Sequence, residues 1–369
     1  MRDRLHLRPA ELGLVLLAIA AGSLLSLPLT GTIVDHFGSR RTIGAMALTT
    51  AVALAIIAAG YTIGVIPVVA GLFIFGFAAG AWDVAMNVQG AIVERGLGRS
   101  IMPRFHAGFS VGTVAGALIG AGMVALHVPV AVHLSGVAVA VAIYVPLAVR
   151  RFIPDRGSDT DAGGTAETPA RGDARRAALA RWREPRTLLV GLFVLAFAFA
   201  EGTGNDWLSV AMIDGYHSSA TVGTLAFALF LAAMTTGRWF GPYLLDRYAR
   251  VTVIRILALV GIAGVLLFVF SPSTPLAFVG AALWGTGASL GFPLGMTAAN
   301  EEPSAAAGRV SVVASIGYCA FLLGPPLIGF LGGHLTVIHA LTVVAALLTL
   351  AALIASCIRP SAPVAGSPG

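Results

Sequence analysis

The stretch Gly31-Thr-Ile-Val-Asp35-His-Phe-Gly38-Ser-Arg40-Arg41 lies between two long apolar segments. A carboxylate at the end of one apolar run, a glycine that lets the chain turn tightly, and two guanidiniums in the next few residues make a compact charged hinge at a membrane face. Working outward from it, apolar runs recur at 12–34, 42–60, 66–93, 105–126, 129–149, 187–213, 220–245, 252–270, 275–299, 310–333 and 335–358. Each is near the ~20 residues that a helix needs to cross ~30 Å of hydrocarbon. The runs are continuously apolar and lack the alternation of an outer-membrane strand, so the expected fold class is an all-α polytopic membrane protein with eleven transmembrane helices.

Composition agrees. The 369 residues are 57% hydrophobic and 11% charged, against roughly 25% charged in soluble domains. Every basic residue besides histidine is arginine, which excludes Schiff-base chemistry on a lysine. Arg40 and Arg41, then Arg95, Arg99 and Arg104, then the 150–186 segment, then Arg247 and Arg250, Arg309 and Arg359 fall on alternate loops. The loops between them carry none, so the positive-inside rule places the arginine side and the C-terminus in the cytoplasm. The net charge of +6 therefore reflects topology, and nucleic acid is not an expected partner. Cys319 and Cys357 sit inside apolar runs without metal-ligand spacing.

The expected organisation is an N-terminal bundle of five helices over 1–149, a cytoplasmic linker over 150–186, a C-terminal bundle of six helices over 187–358, and a disordered cytoplasmic tail over 359–369. The halves echo one another: Gly31…Asp35…Gly38 is answered by Gly237-Arg238-Trp-Phe-Gly241…Asp246-Arg247…Arg250. Parallel repeats with a central site are a transporter arrangement.

The hinge resembles the signature loop between the second and third helices of the major facilitator superfamily (MFS), which runs G-x-x-x-D-[RK]-x-G-[RK]-[RK]; His36 departs from the basic residue usual after the aspartate. That resemblance implies two six-helix bundles joined by a cytoplasmic linker. The hinge here follows the first apolar run, so the element corresponding to helix one is the one missing, and a start site assigned too far downstream is the expected explanation. Trp82-Asp83-Val-Ala-Met-Asn87 is similar to the acidic-x-x-x-Asn stretch of fucose-permease-like sugar:proton symporters, where the carboxylate takes the coupling proton. Asp83…Asn87…Glu94-Arg95, Met102-Pro-Arg104-Phe-His106-Ala-Gly-Phe-Ser110 and Glu201-Gly-Thr-Gly-Asn205-Asp206-Trp207 resemble YbjJ-like bacterial inner-membrane proteins over nearly the whole chain.

A charge near the bilayer centre costs about 2.5–3.5 kcal/mol on the insertion scale, so each one that survives there needs a partner or a task. Asp83, Asn87, Gly90 and Glu94 fall on one helix stripe. Partial burial would raise the Asp83 carboxyl toward neutrality, as a proton carrier requires; the alternative is an aspartate that only orders packing. Glu201, Asn205, Asp206 and Trp207 surround two helix-weakening glycines, as in the broken helices that line transporter sites, with Trp207 placed to stack on a sugar or aromatic face. Substrate-binding or proton-coupling candidates are thus Asp83, Asn87, Glu201, Asn205, Asp206 and Trp207. The conformational gate is expected from Gly31, Asp35, Gly38, Arg40, Arg41, Glu94, Arg104, Asp246, Arg247, Arg250 and Arg309. In that gate Asp35 meets the amino end of the 310–333 helix beside Arg309, and Glu301 with Glu302 pairs with Arg309 or the hinge arginines. Gly108, Gly112, Gly116 and Gly120 form a ridge for close helix packing, and Gly291-Phe-Pro293 and Gly324-Pro325-Pro326 supply kinks.

No G-x-S-x-G, H-E-x-x-H or Walker loop is present, so the expectation is not an enzyme, without cofactor or metal. The function expected is secondary active transport of a small organic solute by alternating access, in symport with protons, by a monomer in a bacterial inner membrane. A non-transporting scaffold or sensor derived from such a transporter is the alternative.

Overall fold

A computed structural model describes residues 4–97, 102–153, 180–301 and 306–360. Every regular element among them is helical: α1 (Pro9–Phe37), α2 (Ser39–Ile63), α3 (Val65–Leu97), α4 (Met102–Ala125), α5 (Val130–Val149), α6 (Pro185–Tyr216), α7 (Ala220–Arg247), α8 (Arg250–Phe270), α9 (Thr274–Ala288), α10 (Gly291–Ala299), α11 (Ala306–His334), α12 (Val337–Ala340) and α13 (Thr342–Ile354), closed by a 3-10 turn, Ala355–Ile358. Among the described residues, eleven segments are long and apolar enough to cross a membrane, with α9–α10 and α12–α13 each forming one of them. These match the apolar runs of the sequence one for one. Most of the 150–186 segment, Glu302 and the tail beyond Pro360 lie outside the described residues.

The ends follow local chemistry. Glu11 caps the start of α1, accepting the Arg8 N–H on Oε2 at 2.8 Å while the Arg8 guanidinium donates to Oε1, also at 2.8 Å. Gly38 separates α1 from α2 at φ 81°, a conformation that glycine adopts without a Cβ penalty.

Two compact units emerge, each drawing on several stretches of chain. One comprises Met1–Ala166, Ser209–Leu225 and Pro325–Ala340; the other comprises Glu167–Leu208, Ala226–Gly324 and Leu341–Gly369. In the first, α1 and α3 meet backbone to backbone: a Cβ on Gly22 would stand 2.0 Å from the Phe73 carbonyl, and one on Gly76 2.0 Å from that of Ile19. Small residues permit this approach, which is how apolar helices gain packing energy in lipid. Val34, Ile43, Ala85 and Val149 form a buried cluster against which Trp82 packs. In the second unit α9 is the hub. Gly285 lies against the Phe230 carbonyl of α7 and Gly264 of α8 against the Trp284 amide, while the Trp284 indole donates to the Ala200 carbonyl of α6 at 3.2 Å.

Two expectations need correction. Among the described residues the glycine ridge of α4 has no close neighbour: a Cβ on Gly108, Gly112, Gly116 or Gly120 would meet no described atom within 4 Å. Helix α6 is not broken at Gly202 and Gly204 but runs continuously from Pro185 to Tyr216. Those glycines make room for rings, since a Cβ would lie 3.0 Å from Phe321 and 2.4 Å from Phe230. The interruption falls instead at Ser289–Leu290, ahead of Gly291-Phe-Pro293, between α9 and α10. Helix α11 passes through Pro325 and Pro326 unbroken.

Candidate functional site

In the second unit the polar centre is built from three helices. Glu201 lies midway along α6, on a helix whose other faces are covered; between Val190 and Asp214 the one exposed residue is Asn205, a turn further on. From α7, the Arg238 Nη2 donates to Glu201 Oε2 at 2.6 Å, and its Nε donates to the Ser289 carbonyl at 3.2 Å. That carbonyl is available for a local reason. Pro293, four residues on, has no N–H to return to it, so the break before α10 leaves an acceptor inside the membrane that Arg238 satisfies. Gly237 allows the approach, because a Cβ there would stand 2.5 Å from Ser289 Oγ. The arginine thus neutralises a carboxylate and saturates a broken helix with one planar fork.

Sequence reading noted Arg238 only as part of the internal echo and gave it no role. Its signal was available: an arginine inside an apolar run, followed within the span by Gly241 and Pro242.

The remaining α6 candidates separate. Asp206 is half-buried, and among the described residues it has no recorded hydrogen-bond partner. Trp207 is fully buried, so its face is unavailable to a ligand, which corrects the stacking expectation; its indole N–H and the Thr203 hydroxyl one turn earlier are buried without hydrogen-bond partners.

In the first unit, Trp82 packs into the cluster around Val34 and Ile43, and the next residue, ~100° around the helix, is Asp83, which is exposed. Asn87 turns back on its own helix, donating to the Asp83 carbonyl at 2.9 Å. Glu94 accepts the Met102 N–H at 3.0 Å and so ties the end of α3 to the start of α4. Gly31, Asp35, Arg40 and Arg41 are exposed around Gly38, as is Arg104 at the start of α4. Beneath the hinge sits a bond network that the sequence reading missed. Buried Ser39 donates to Gln89 Oε1 at 2.7 Å, and Gln89 Nε2 reaches the Ile153 carbonyl at 3.2 Å, linking the start of α2 to α3 and to the chain after α5.

Arginine pairs gather at the corresponding helix ends of the second unit. Glu301 bridges Arg250, at 2.5 Å, and Arg186, at 3.1 Å. Arg309 instead holds Glu184 at 2.7 Å, alongside Arg181 and the Thr187 hydroxyl. Burial pushes the Glu184 carboxyl up, but those three hydrogen bonds and the Arg309 charge outweigh it and hold its pKa down at about 2. Asp246 is exposed, and Arg247 lies over the Tyr243 ring at 4.2 Å.

The Major Facilitator Superfamily sequence profile matches residues 1–320 and 211–368, which together span nearly the whole chain. The chain belongs to the Major Facilitator Superfamily. Among curated MFS relatives, it is 31% identical over 357 residues to an uncharacterized transporter, y4wD, of Sinorhizobium fredii, covering 96% of this chain and 90% of that protein. It is 30% identical to an uncharacterized MFS-type transporter of Yersinia pestis, over 89% of this chain and 82% of the relative. Among solved MFS structures, the nucleoside transporter NupG superposes with a TM-score of 0.76 at 16% identity, covering 97% of this chain and 93% of NupG. The Escherichia coli fucose:proton symporter FucP superposes at 0.60 with 14% identity, over 98% and 94% of the two chains. At these identities the structural likeness establishes the MFS fold.

Proposed function

We propose that this MFS transporter moves a small organic solute by alternating access, coupled to protons, as a monomer in the bacterial inner membrane with its arginine-bearing loops and C-terminus in the cytoplasm. The observation that carries the reading is the Glu201–Arg238 pair at membrane depth, beside exposed Asn205 on a helix that is otherwise covered. A polar strip facing lipid would cost several kcal/mol; a strip facing a water-filled path would not. Polar groups of the solute are bound by Asn205, Glu201 and Arg238, and the coupling proton is carried by Asp83. Two solved neighbours support this reading by their titles, one a nucleoside transporter and one a fucose:proton symporter. The gate assigned to Asp35, Arg40 and Arg41, and to Asp246, Arg247 and Arg250, follows from the charged hinges at the helix ends.

The test is uptake into proteoliposomes under an imposed pH gradient, screened across neutral and anionic metabolites. Wild type should accumulate at least one solute when the outside is acidic. Asp83→Asn should lose accumulation but retain counterflow, the exchange that needs no net proton movement. A solute whose flux ignores both the gradient and the substitution removes proton coupling; no flux for any solute in a folded preparation removes transport and favours a scaffold.

A further inference from the structure

Where α6 begins and the final 3-10 turn ends, a cavity of about 450 Å³ is lined by Arg186, Leu189, Ser356, Cys357, Arg359 and Pro360. None of these residues belongs to the intramembrane centre. The wall is held by Arg186, whose Nε donates to the Cys357 carbonyl at 3.2 Å and whose Nη2 donates to the Arg359 carbonyl at 2.9 Å. Arg250 adds a bond to the Ile358 carbonyl at 3.2 Å. The two guanidiniums thereby satisfy the carbonyls left open at the end of the last membrane segment. Both also share Glu301. Arg359 is exposed, so three guanidiniums, those of Arg186, Arg250 and Arg359, gather where the last membrane segment ends.

Its vertical grading is as informative as its charge. Arg186 precedes Leu189 by three residues on α6, so the rim arginine stands over a lining leucine about one turn, ~5 Å, deeper in the segment. Leu189 is 41% exposed. The amino end of α6 adds the partial positive charge of its first turn. A cationic, hydroxyl-bearing rim above an exposed leucine matches an amphiphile with a negatively charged head and an alkyl tail; a soluble anion would use the rim and leave the leucine idle.

We propose that this cavity binds the phosphate headgroup of an anionic phospholipid, with Arg359 and Ser356 as contacts, Arg186 as the fixed positive wall, and one acyl chain lying along Leu189. The lipid bridges the first and last membrane segments of Glu167–Leu208 and Leu341–Gly369, and it does so whether or not the solute assignment above is right.

The experiment is native mass spectrometry of the purified full chain, released from detergent after exposure to phosphatidylglycerol or phosphatidylcholine. Phosphatidylglycerol should be retained in preference. Arg359→Gln should weaken its retention about fivefold, the loss of one arginine's attraction to an anionic surface, and Ser356→Ala less. Arg150→Gln, an exposed arginine outside the cavity, serves as control and should have no effect. Equal retention of the two lipids overturns the proposal, as does equal weakening by Arg359→Gln and Arg150→Gln, which would mean diffuse surface charge. Displacement of the lipid by glycerol phosphate at equal concentration would also overturn it, assigning the cavity to a soluble anion.

Discussion

On α3, Asn87 donates to a carbonyl of its own helix and Asp83 stands exposed beside it; on α6, Glu201 reaches across to a guanidinium that is bound in turn to the break between α9 and α10. Both strips read alike as letters, an acidic residue followed four positions later by asparagine. They differ in what holds them. The Asn87 bond closes within α3 itself. The α6 strip is the joint of three elements, and its charge cannot change without disturbing them. The solute contacts proposed above lie at that joint, and the proposed proton carrier lies on α3.

The largest expected effect tests the joint. Arg238→Gln leaves Glu201 and the Ser289 carbonyl without their partner; an uncompensated buried charge costs about 3–5 kcal/mol, and the partial exposure of this pair brings the expectation to roughly 1–3 kcal/mol. Thermal unfolding in detergent should show that loss, with Glu201→Gln added on the same chain recovering much of it. Full stability in the single variant would break the contrast, because it would show that the α6 pair does not join the elements it touches.

A second test sets a crowded glycine against an open one. A Cβ on Gly291 would lie 1.9 Å from Phe197 Cγ, so Gly291→Ala forces the ring to move and should cost about 1–3 kcal/mol, as overpacking does. On α4, Gly116→Ala meets nothing and should be neutral or stabilising by about 0.5–1 kcal/mol through helix propensity. The same thermal assay reads both. If Gly116→Ala were the more damaging, the ridge would have a partner and the correction made above would itself be wrong.

The smallest effect concerns pH. Glu184 falls from an ordinary carboxylate value of 4.5 to about 2 on folding. A depressed pKa contributes stability that is fully present above about 4.5 and is lost as pH drops from there through about 2. The unfolding midpoint of wild type should therefore decline between pH 5 and 3 more steeply than that of Glu184→Gln. Parallel curves would show that the Arg181–Glu184–Arg309 cluster adds nothing to the folded state.

Legibility in the sequence followed range. The hinge around Asp35, the eleven apolar segments and the candidate carboxylates were readable because each depends on residue type and spacing within one helix. Arg238 was passed over because its importance lies in partners 37 and 51 residues away. Gly202 and Gly204 were misread as a helix break because a glycine weakens a helix in isolation, whereas here Phe230 and Phe321 occupy the space they leave. The α4 ridge was misread for the converse reason: small residues permit close packing but do not supply a neighbour.

By itself, then, the chain's order of apolar and charged residues determined how many times it can cross a bilayer, where the loops lie and which carboxylates reach membrane depth, since transfer into hydrocarbon is decided segment by segment. Which of those carboxylates is ion-paired, which helix is broken and which glycines carry weight were decided by tertiary packing alone. Close contacts and ion pairs depend on distances between segments remote in sequence, and no local pattern encodes those distances.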